Sequence, residues 1–299
     1  MRRAARVALV AAAGMVTLAA CQKDDRRAFD GAQALSYVQQ QLAFGPRIPN
    51  TSGHRATGDW LLAELRQRAD TVIVQAFSHR TGRETLALRN FFARFRPAAT
   101  ERVLFLAHWD TRPRSDQARD TAAQRLPVPG ANDGASGVAV LLGVADALKA
   151  RPAAFGVDLL FVDGEDYGDF RDTTETLIGS RYFAAHLPPG YQPLFAVLFD
   201  MVGDRDLQIY QEGNSLAFAP EVVQQVWRAA ETLGYERVFV PAVRHTLTDD
   251  HVALQQVGIR AIDVVDFDYP YWHTPDDAGD KVSAASLQIV GDVALALVR

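Results

Sequence analysis

Two periodicities divide the chain. After Asp30 and Gln33, which resemble a helix start, Leu35, Val38 and Leu42 keep helical spacing until Pro46 ends the run. Thr51 or Ser52 is placed to cap a second helix carrying Ala56, Trp60, Leu61 and Leu65. Val72, Val74 and Ala76 then alternate, as do Phe91, Ala93 and Phe95 among arginines, which predicts half-exposed antiparallel strands. Beyond them the pattern changes. Val103–Ala107 and Leu194–Phe199 are unbroken apolar runs, and Val157–Val162 and Ala261–Val265 are interrupted only by Asp158 and Asp263, a pattern expected of strands buried on both faces. Helical stretches separate them: Val138, Leu141, Leu142, Ala145 and Leu148, then Val222, Val223, Val226, Trp227 and Ala230 closed by Gly234. A last helix carries Leu287, Val290, Ala294 and Leu297. Strands alternating with helices predict an α/β fold with a mixed central sheet, a parallel core and helices on both faces. No linker interrupts residues 30–299, so a single domain is expected there.

The first residues show another pattern. Arg2, Arg3 and Arg6 precede a small, apolar stretch, Val7–Ala20, too short to span a bilayer comfortably. It ends in Leu18-Ala19-Ala20-Cys21, which resembles a bacterial lipoprotein box. Residues 1–20 are then a signal peptide, Cys21 the lipidated mature N-terminus, and 21–29 a polar tether. Gln22, rather than aspartate, after the cysteine points to a periplasm-facing protein anchored in an outer membrane. An ordinary cleaved signal with a chance cysteine is the alternative.

Composition narrows the class. With 48% hydrophobic and 22% charged residues, the 299-residue chain has enough apolar side chains for a substantial core. Its net charge is −5, and losing residues 1–20 would remove three arginines and no acid. A negative surface without a basic block argues against nucleic acid and against electrostatic membrane docking, leaving the lipid as the only membrane link. Cys21 is the sole cysteine, so no disulfide can brace the core.

The residues just past each apolar run carry the chemistry. His108-Trp109-Asp110 comes after Ala107, Glu165-Asp166 after Val162, Asp200 after Phe199, and Asp266, Asp268 and Trp272-His273 after Val265. The loop Gly130-Ala131-Asn132-Asp133-Gly134 adds a carboxylate before a helix. In open α/β sheets, ligands collect beyond the carboxyl ends of the strands. Histidine nitrogens and carboxylate oxygens gathered there suit zinc with one coordination position left open. Singly, each residue has another use: Asp133 as a helix cap, Asp200 as a solvated loop residue, His108 as a core histidine, His273 as part of a turn. Asp110, Asp276 and Asp277 read as supporting or turn residues, and His54, His79, His186 and His245 as structural or surface. Gly130, Gly134 and Gly137 loosely match a phosphate loop, but no Gly-Lys-Ser/Thr comes after them. No Gly-x-Ser-x-Gly elbow occurs.

Ala-His-Trp-Asp, Gly-Ala-Asn-Asp-Gly-Ala-Ser-Gly, Asp-Gly-Glu-Asp-Tyr-Gly, Leu-Phe-Asp-Met-Val-Gly and Trp-His-Thr, in this order over nearly all of residues 30–299, resemble the zinc aminopeptidase family. Within it, Thr246-Leu247-Thr248-Asp249-Asp250-His251 and Tyr271-Trp272-His273 look like the glutaminyl-peptide cyclotransferases of the animal type and their bacterial branch. The resemblance implies zinc on Asp133, Asp166 and His273, Glu165 as general acid/base, Asp249 and Asp200 hydrogen-bonded near it, and Trp272 lining the pocket. His108 and Asp200 match the second-metal ligands of the peptidase relatives, while the cyclases keep both and bind one zinc. The expected reaction turns an N-terminal glutamine into pyroglutamate with release of ammonia. Its partners would be peptides or proteins with N-terminal glutamine, acted on by a monomer. Asp166 replaces the glutamate of animal cyclases, Thr248 their glutamine, and Phe170-Arg171 stand where a tryptophan is expected, all near the pocket rim. Two other readings stand beside this one. A di-zinc aminopeptidase would have two ions bridged by Asp133 and Glu165 as the base for water, and a non-catalytic cell-surface binding module would use the same fold.

Overall fold

The computed structural model describes residues 29–170 and 173–299. Residues 1–20, Cys21, the segment 22–28 and Arg171 lie outside the described residues. Helix α1 (Gly31–Ala43) begins where Asp30 accepts the amide of Gln33, and α2 (Ser52–Arg68) where Thr51 accepts that of His54. Each cap satisfies a first-turn donor that has no partner within its helix. Strands β1 (Thr71–Arg80), β2 (Thr85–Phe95) and β3 (Arg102–His108) come next, then α3 (Ala135–Ala150), β4 (Gly156–Val162), α4 (Ile178–Ala185) and β5 (Ala196–Asp200). The last third holds β6 (Ile209–Gln211), α5 (Gly213–Phe218), α6 (Pro220–Thr232), β7 (Phe239–Val243), α7 (Asp250–Gln255), β8 (Ala261–Val265) and α8 (Ala284–Ala296).

Six strands form one sheet in the order β1-β2-β4-β3-β5-β8, while β6 and β7 pair separately. β1, β2 and β4 are antiparallel neighbours, and β4, β3, β5 and β8 run parallel. Alternate strand residues feed two cores. Phe105, Leu159, Val197 and Ile262 pack on one face with α1, α2, α3 and α8; Leu106, Leu160, Leu198 and Ala261 pack on the other with Phe183 of α4 and Leu254 of α7. Helix α3 lies between the sheet and α1 and α8, so its sequence is apolar on nearly every side. At Gly137 a Cβ would stand 2.1 Å from the carbonyl of Phe199, so only glycine lets α3 approach β5 this closely.

The register decides where the chemistry falls. His108 lies opposite Val162, and Asp200 opposite Val265, so the parallel strands end together on one edge. Helix α3, leading from β3 to β4, covers one face, whereas α4, leading from β4 to β5, covers the other. That reversal opens a crevice at the carboxyl ends of β3 and β5.

Two expectations need correction. β2 is not half-exposed: Phe91, Ala93 and Phe95 enter one core and Phe92 the other, because β1 adds outside it and makes it an interior strand. Only β1 keeps the alternating exposure. Phe29, assigned from sequence to the tether, is buried in a groove that Gly143 and Gly291 leave on α3 and α8.

Candidate active site

The residues beyond β3 and β4 are bound to each other before any ligand is considered. The Asp110 carboxylate accepts the amides of Glu165 (3.1 Å) and Asp166 (3.2 Å), fixing one strand-end loop against the next. Asp277 does the same for the loop before α3, accepting the amides of Asn132 (2.8 Å) and Asp133 (3.2 Å) and the hydroxyl of Tyr269 (2.8 Å). Asp133 does not cap α3: the capping position is Gly134, with no side-chain bond, so the Asp133 carboxylate faces the crevice. Met201 and His273 both have left-handed backbone (φ 47° and 52°), an uncommon state for side chains of this size, and both line the same cavity.

Two sets of three side chains meet there. His108 Nε2 lies 3.1 Å from Asp133 Oδ1 and 3.1 Å from Asp200 Oδ1. His273 Nε2 lies 3.2 Å from Asp166 Oδ1 and 3.6 Å from Asp133 Oδ2. Within each set the candidate ligand atoms lie within 4.8 Å of one another, and Asp133 belongs to both. Asp133 Oδ2 and Asp166 Oδ2 are buried without a hydrogen-bond partner. Buried carboxylate oxygens without donors carry a desolvation cost that a cation would offset. Two carboxylates and an imidazole are also the donors zinc takes, so the residues fit that ion.

The electrostatics agree. Burial opposes charge on His273, but Asp166 and Asp116 raise its pKa to about 9; burial likewise opposes charge on His108, yet Asp110, Asp133 and Asp200 hold it well above the usual imidazole range. Without a cation, imidazolium protons supply the positive charge these carboxylates require, and metal binding would release them. Burial pushes Glu165 well above the usual carboxylate range; His108 opposes this, while Asp166, Asp249 and Asp250 add to it. Glu165 Oε2 stands 3.7 Å from His108 Nδ1.

The cavity holds about 290 Å³ and is lined by Asp133, Glu165, Asp200, Asp249, Trp272 and His273, among others. Trp272 stacks on His273 with ring centres 4.0 Å apart and meets Phe267 at 4.9 Å, which holds the indole as a fixed wall. Opposite, Glu212 accepts the amides of Leu247, Asn214 and Ser215, pinning the loop that presents Thr246, Leu247 and Thr248. A larger open groove of about 810 Å³ along α6 has neither histidine nor a cluster of carboxylates, so the chemistry belongs to the smaller cavity.

Peptidase family M28 matches residues 90–298. The chain belongs to that family. Other similarities to M28-like proteins agree with the architecture. A Zn-dependent exopeptidase from Parabacteroides distasonis is 35% identical, with a TM-score of 0.87 over 90% of this chain and 98% of that one. The glutaminyl cyclase of Bacteroides thetaiotaomicron, solved with N-acetylhistamine, is also 35% identical, with a TM-score of 0.87 over 90% and 97% of the two chains. Porphyromonas gingivalis glutaminyl cyclase is 38% identical, with a TM-score of 0.86 over 90% and 97%. Aminopeptidase YwaD of Bacillus subtilis is 26% identical over 290 residues, 90% of this chain and 57% of that protein. The chain spans about half the length of the curated relatives it matches. The solved structures that resemble the chain thus include both Zn-dependent exopeptidases and glutaminyl cyclases.

Several side chains at the site have no strand-end signature. Arg112 donates to Asp166 Oδ1 (2.7 Å), and Asp116 reaches His273 Nδ1 (3.2 Å). The only sequence trace of this pair is the i, i+4 spacing of Arg and Asp just after His108. Arg47 is fully buried behind the loops, with guanidinium donors on the carbonyls of Trp109, Pro129, Gly130 and Asp133. His54, read as structural, bonds Asp163 at 2.8 Å and stacks on Trp109.

Proposed function

We propose that this chain is a zinc-dependent glutaminyl-peptide cyclotransferase, converting N-terminal glutamine of peptides to pyroglutamate and ammonia. The observation that carries the reading is Asp249, the capping residue of α7, which shares a small cavity with Glu165 and Asp200 while Trp272 closes another wall. Ring closure needs one proton taken from the α-amine and one delivered to the departing amide nitrogen. A lone carboxylate must therefore accept and then return a proton, and burial, reinforced by Asp166, Asp249 and Asp250 against the pull of His108, raises the Glu165 pKa, the direction that favours holding a proton in transit.

Asp133, Asp166 and His273 would hold one zinc, which when bound supplies a Lewis acid for the side-chain carbonyl. The remaining work falls to the protein. Trp272 folds the substrate side chain back toward its own amine, so proximity replaces an external nucleophile. Glu165 takes the amine proton as the new C–N bond forms and passes it to the nitrogen as the old C–N bond breaks. Ammonia leaves without water entering the balance.

A peptide with N-terminal glutamine, incubated with the zinc-loaded domain, is expected to release ammonia and keep all its residues with a blocked N-terminus. Free glutamine and a shortened peptide in the mass spectrum would instead assign the aminopeptidase reaction. That second reading draws on the His108, Asp133 and Asp200 set, which would hold a second ion, Asp133 being common to both sets. Zinc counted by elemental analysis separates the two, with one ion expected here.

The proposal extends to location: a monomer tethered through lipid on Cys21, facing the periplasm from the outer membrane. Cys21→Ala is expected to abolish incorporation of labelled palmitate and release the protein from membranes; unchanged labelling would remove the anchor.

A further inference from the structure

Four side chains at the metal end of the cavity close a ring. Arg112 donates from Nε to Asp116 Oδ1 (2.9 Å) and from Nη2 to Asp116 Oδ2 (2.6 Å), a parallel fork that only guanidinium can make with a carboxylate. Its remaining nitrogen, Nη1, donates to Asp166 Oδ1 (2.7 Å) and the Asp166 carbonyl (3.3 Å). Asp116 Oδ1 then lies 3.2 Å from His273 Nδ1, within ion-pair reach though off the line of a hydrogen bond. His273 Nε2 closes the circuit at 3.2 Å from Asp166 Oδ1. The backbone repeats the link: the Gln117 amide donates to the His273 carbonyl at 3.2 Å.

We infer that Arg112 and Asp116 are positioning residues that lock the candidate zinc ligands Asp166 and His273 to each other, so that the ion meets a preformed pair. The inference rests on the metal-site reading and is independent of which reaction the site performs. Three features set this pair apart from an ordinary surface contact. Arg112 is only 5% exposed, whereas the partners of an ordinary surface ion pair are both solvated and order little around them. Arg112 engages Asp166 Oδ1 alone and leaves Oδ2 without a partner, so its bond turns the carboxylate without covering both oxygens. Asp116 stands 3.2 Å from Nδ1 on the side of His273 away from Asp166, so the ring is held from behind while Nε2 faces Asp166 and Asp133. The Arg112 guanidinium also lies over the Phe170 ring (5.6 Å), which closes the ring's outer side.

The test is zinc affinity, measured by competition with a chromogenic chelator, on wild type, Arg112→Gln, Asp116→Asn and the double variant, with thermal melts of the zinc-free proteins alongside. Each single variant is expected to bind zinc roughly 10–100-fold more weakly. The double variant should be no more than about threefold weaker than the worse single, since a ring is broken once. Arg112→Lys, which keeps the charge but loses the fork, should recover less than half of the logarithmic loss. Single variants within about threefold of wild type, or losses that add in the double, would overturn the inference. Should Arg112→Gln fail to fold, Asp116→Asn decides alone, because Asp116 is 39% exposed and tolerates an isosteric change. Wild type that binds zinc tightly yet leaves glutaminyl peptides unchanged would sink the cyclase reading and leave this one standing. Variants with wild-type affinity and normal cyclisation would do the reverse, and wild type that binds no zinc would overturn both.

Discussion

Glu165→Gln should bind zinc as the wild type does and cyclise glutaminyl peptides about 10²–10⁴-fold more slowly, the usual contribution of a positioned acid/base. The substitution changes neither the size nor the backbone contacts of the side chain: the Glu165 amide still donates to Asp110, and its carbonyl still accepts from Leu177. None of the three atoms facing the candidate zinc position belongs to Glu165. What is lost is an oxygen that can hold a proton in transit. Steady-state rates with elemental analysis of the same preparation provide the check. A variant that retained most of its turnover would pass the proton role to Asp249, whose carboxyl shares the cavity and is also raised by burial and by Asp200. A variant that lost zinc together with activity would place Glu165 among the ligands instead.

The same variant would also stop a di-zinc peptidase, whose water needs a base at the same place. It therefore tests the site, while the product analysis tests the reaction. The two reactions differ in where the α-amine goes. In a peptidase the amine is held still and water attacks; in a cyclase the amine is the nucleophile and must be bent back on the side chain. The wall formed by Trp272, gripped between His273 and Phe267, suits a compact folded substrate better than an extended one.

The parts of the architecture legible in the sequence are those where one physical signal dominates. Apolar runs mark β3, β4 and β8 nearly to the residue, because a strand covered on both faces carries few polar positions, here one buried aspartate each in β4 (Asp158) and β8 (Asp263). His108, Glu165, Asp166, Asp200 and His273 come together because parallel strands in register end on one edge, whereas Asp266 accepts the Gln208 amide and Asp268 pairs with His245, both away from the cavity. β2 reads as half-exposed because its arginines look solvent-facing. In the fold, Arg94 turns to Asp158 (3.2 Å) and Arg89 to Asp59 (2.6 Å) while the strand itself is interior. Helices α5 and α7 are each six residues long and carry too little periodicity to announce themselves. Arg47 has no signature in the sequence, and Arg112 and Asp116 have only their spacing. Their partners are set by tertiary structure, and an arginine just after a helix-ending proline has no local feature separating it from a surface residue.

Arg47→Met is the second large effect to expect, on stability rather than chemistry. The guanidinium lies wholly inside, where burial lowers its pKa to about 10 against the opposing pull of Asp277, Asp110 and Asp133, so it remains a cation at neutral pH. It ties the chain after α1 to the loop after β3 through Trp109, and to the loop before α3 through Pro129, Gly130 and Asp133. Methionine fills similar volume but leaves several carbonyls short of a donor and three nearby carboxylates less compensated. Removing one side of a buried charge arrangement costs about 3–5 kcal/mol. In a domain of this size that lowers Tm by on the order of 10 °C. The size of the drop should depend on zinc. Zinc-free protein relies on Arg47 and the nearby histidines to balance Asp133, whereas a divalent ion held by Asp133 would supply positive charge of its own. Calorimetry of Arg47→Met is therefore expected to show a larger loss in the zinc-free form than in the loaded one, with Arg47→Lys between variant and wild type in both. Equal losses in the two forms would confine Arg47 to bracing the loops and remove its charge from the account of the site.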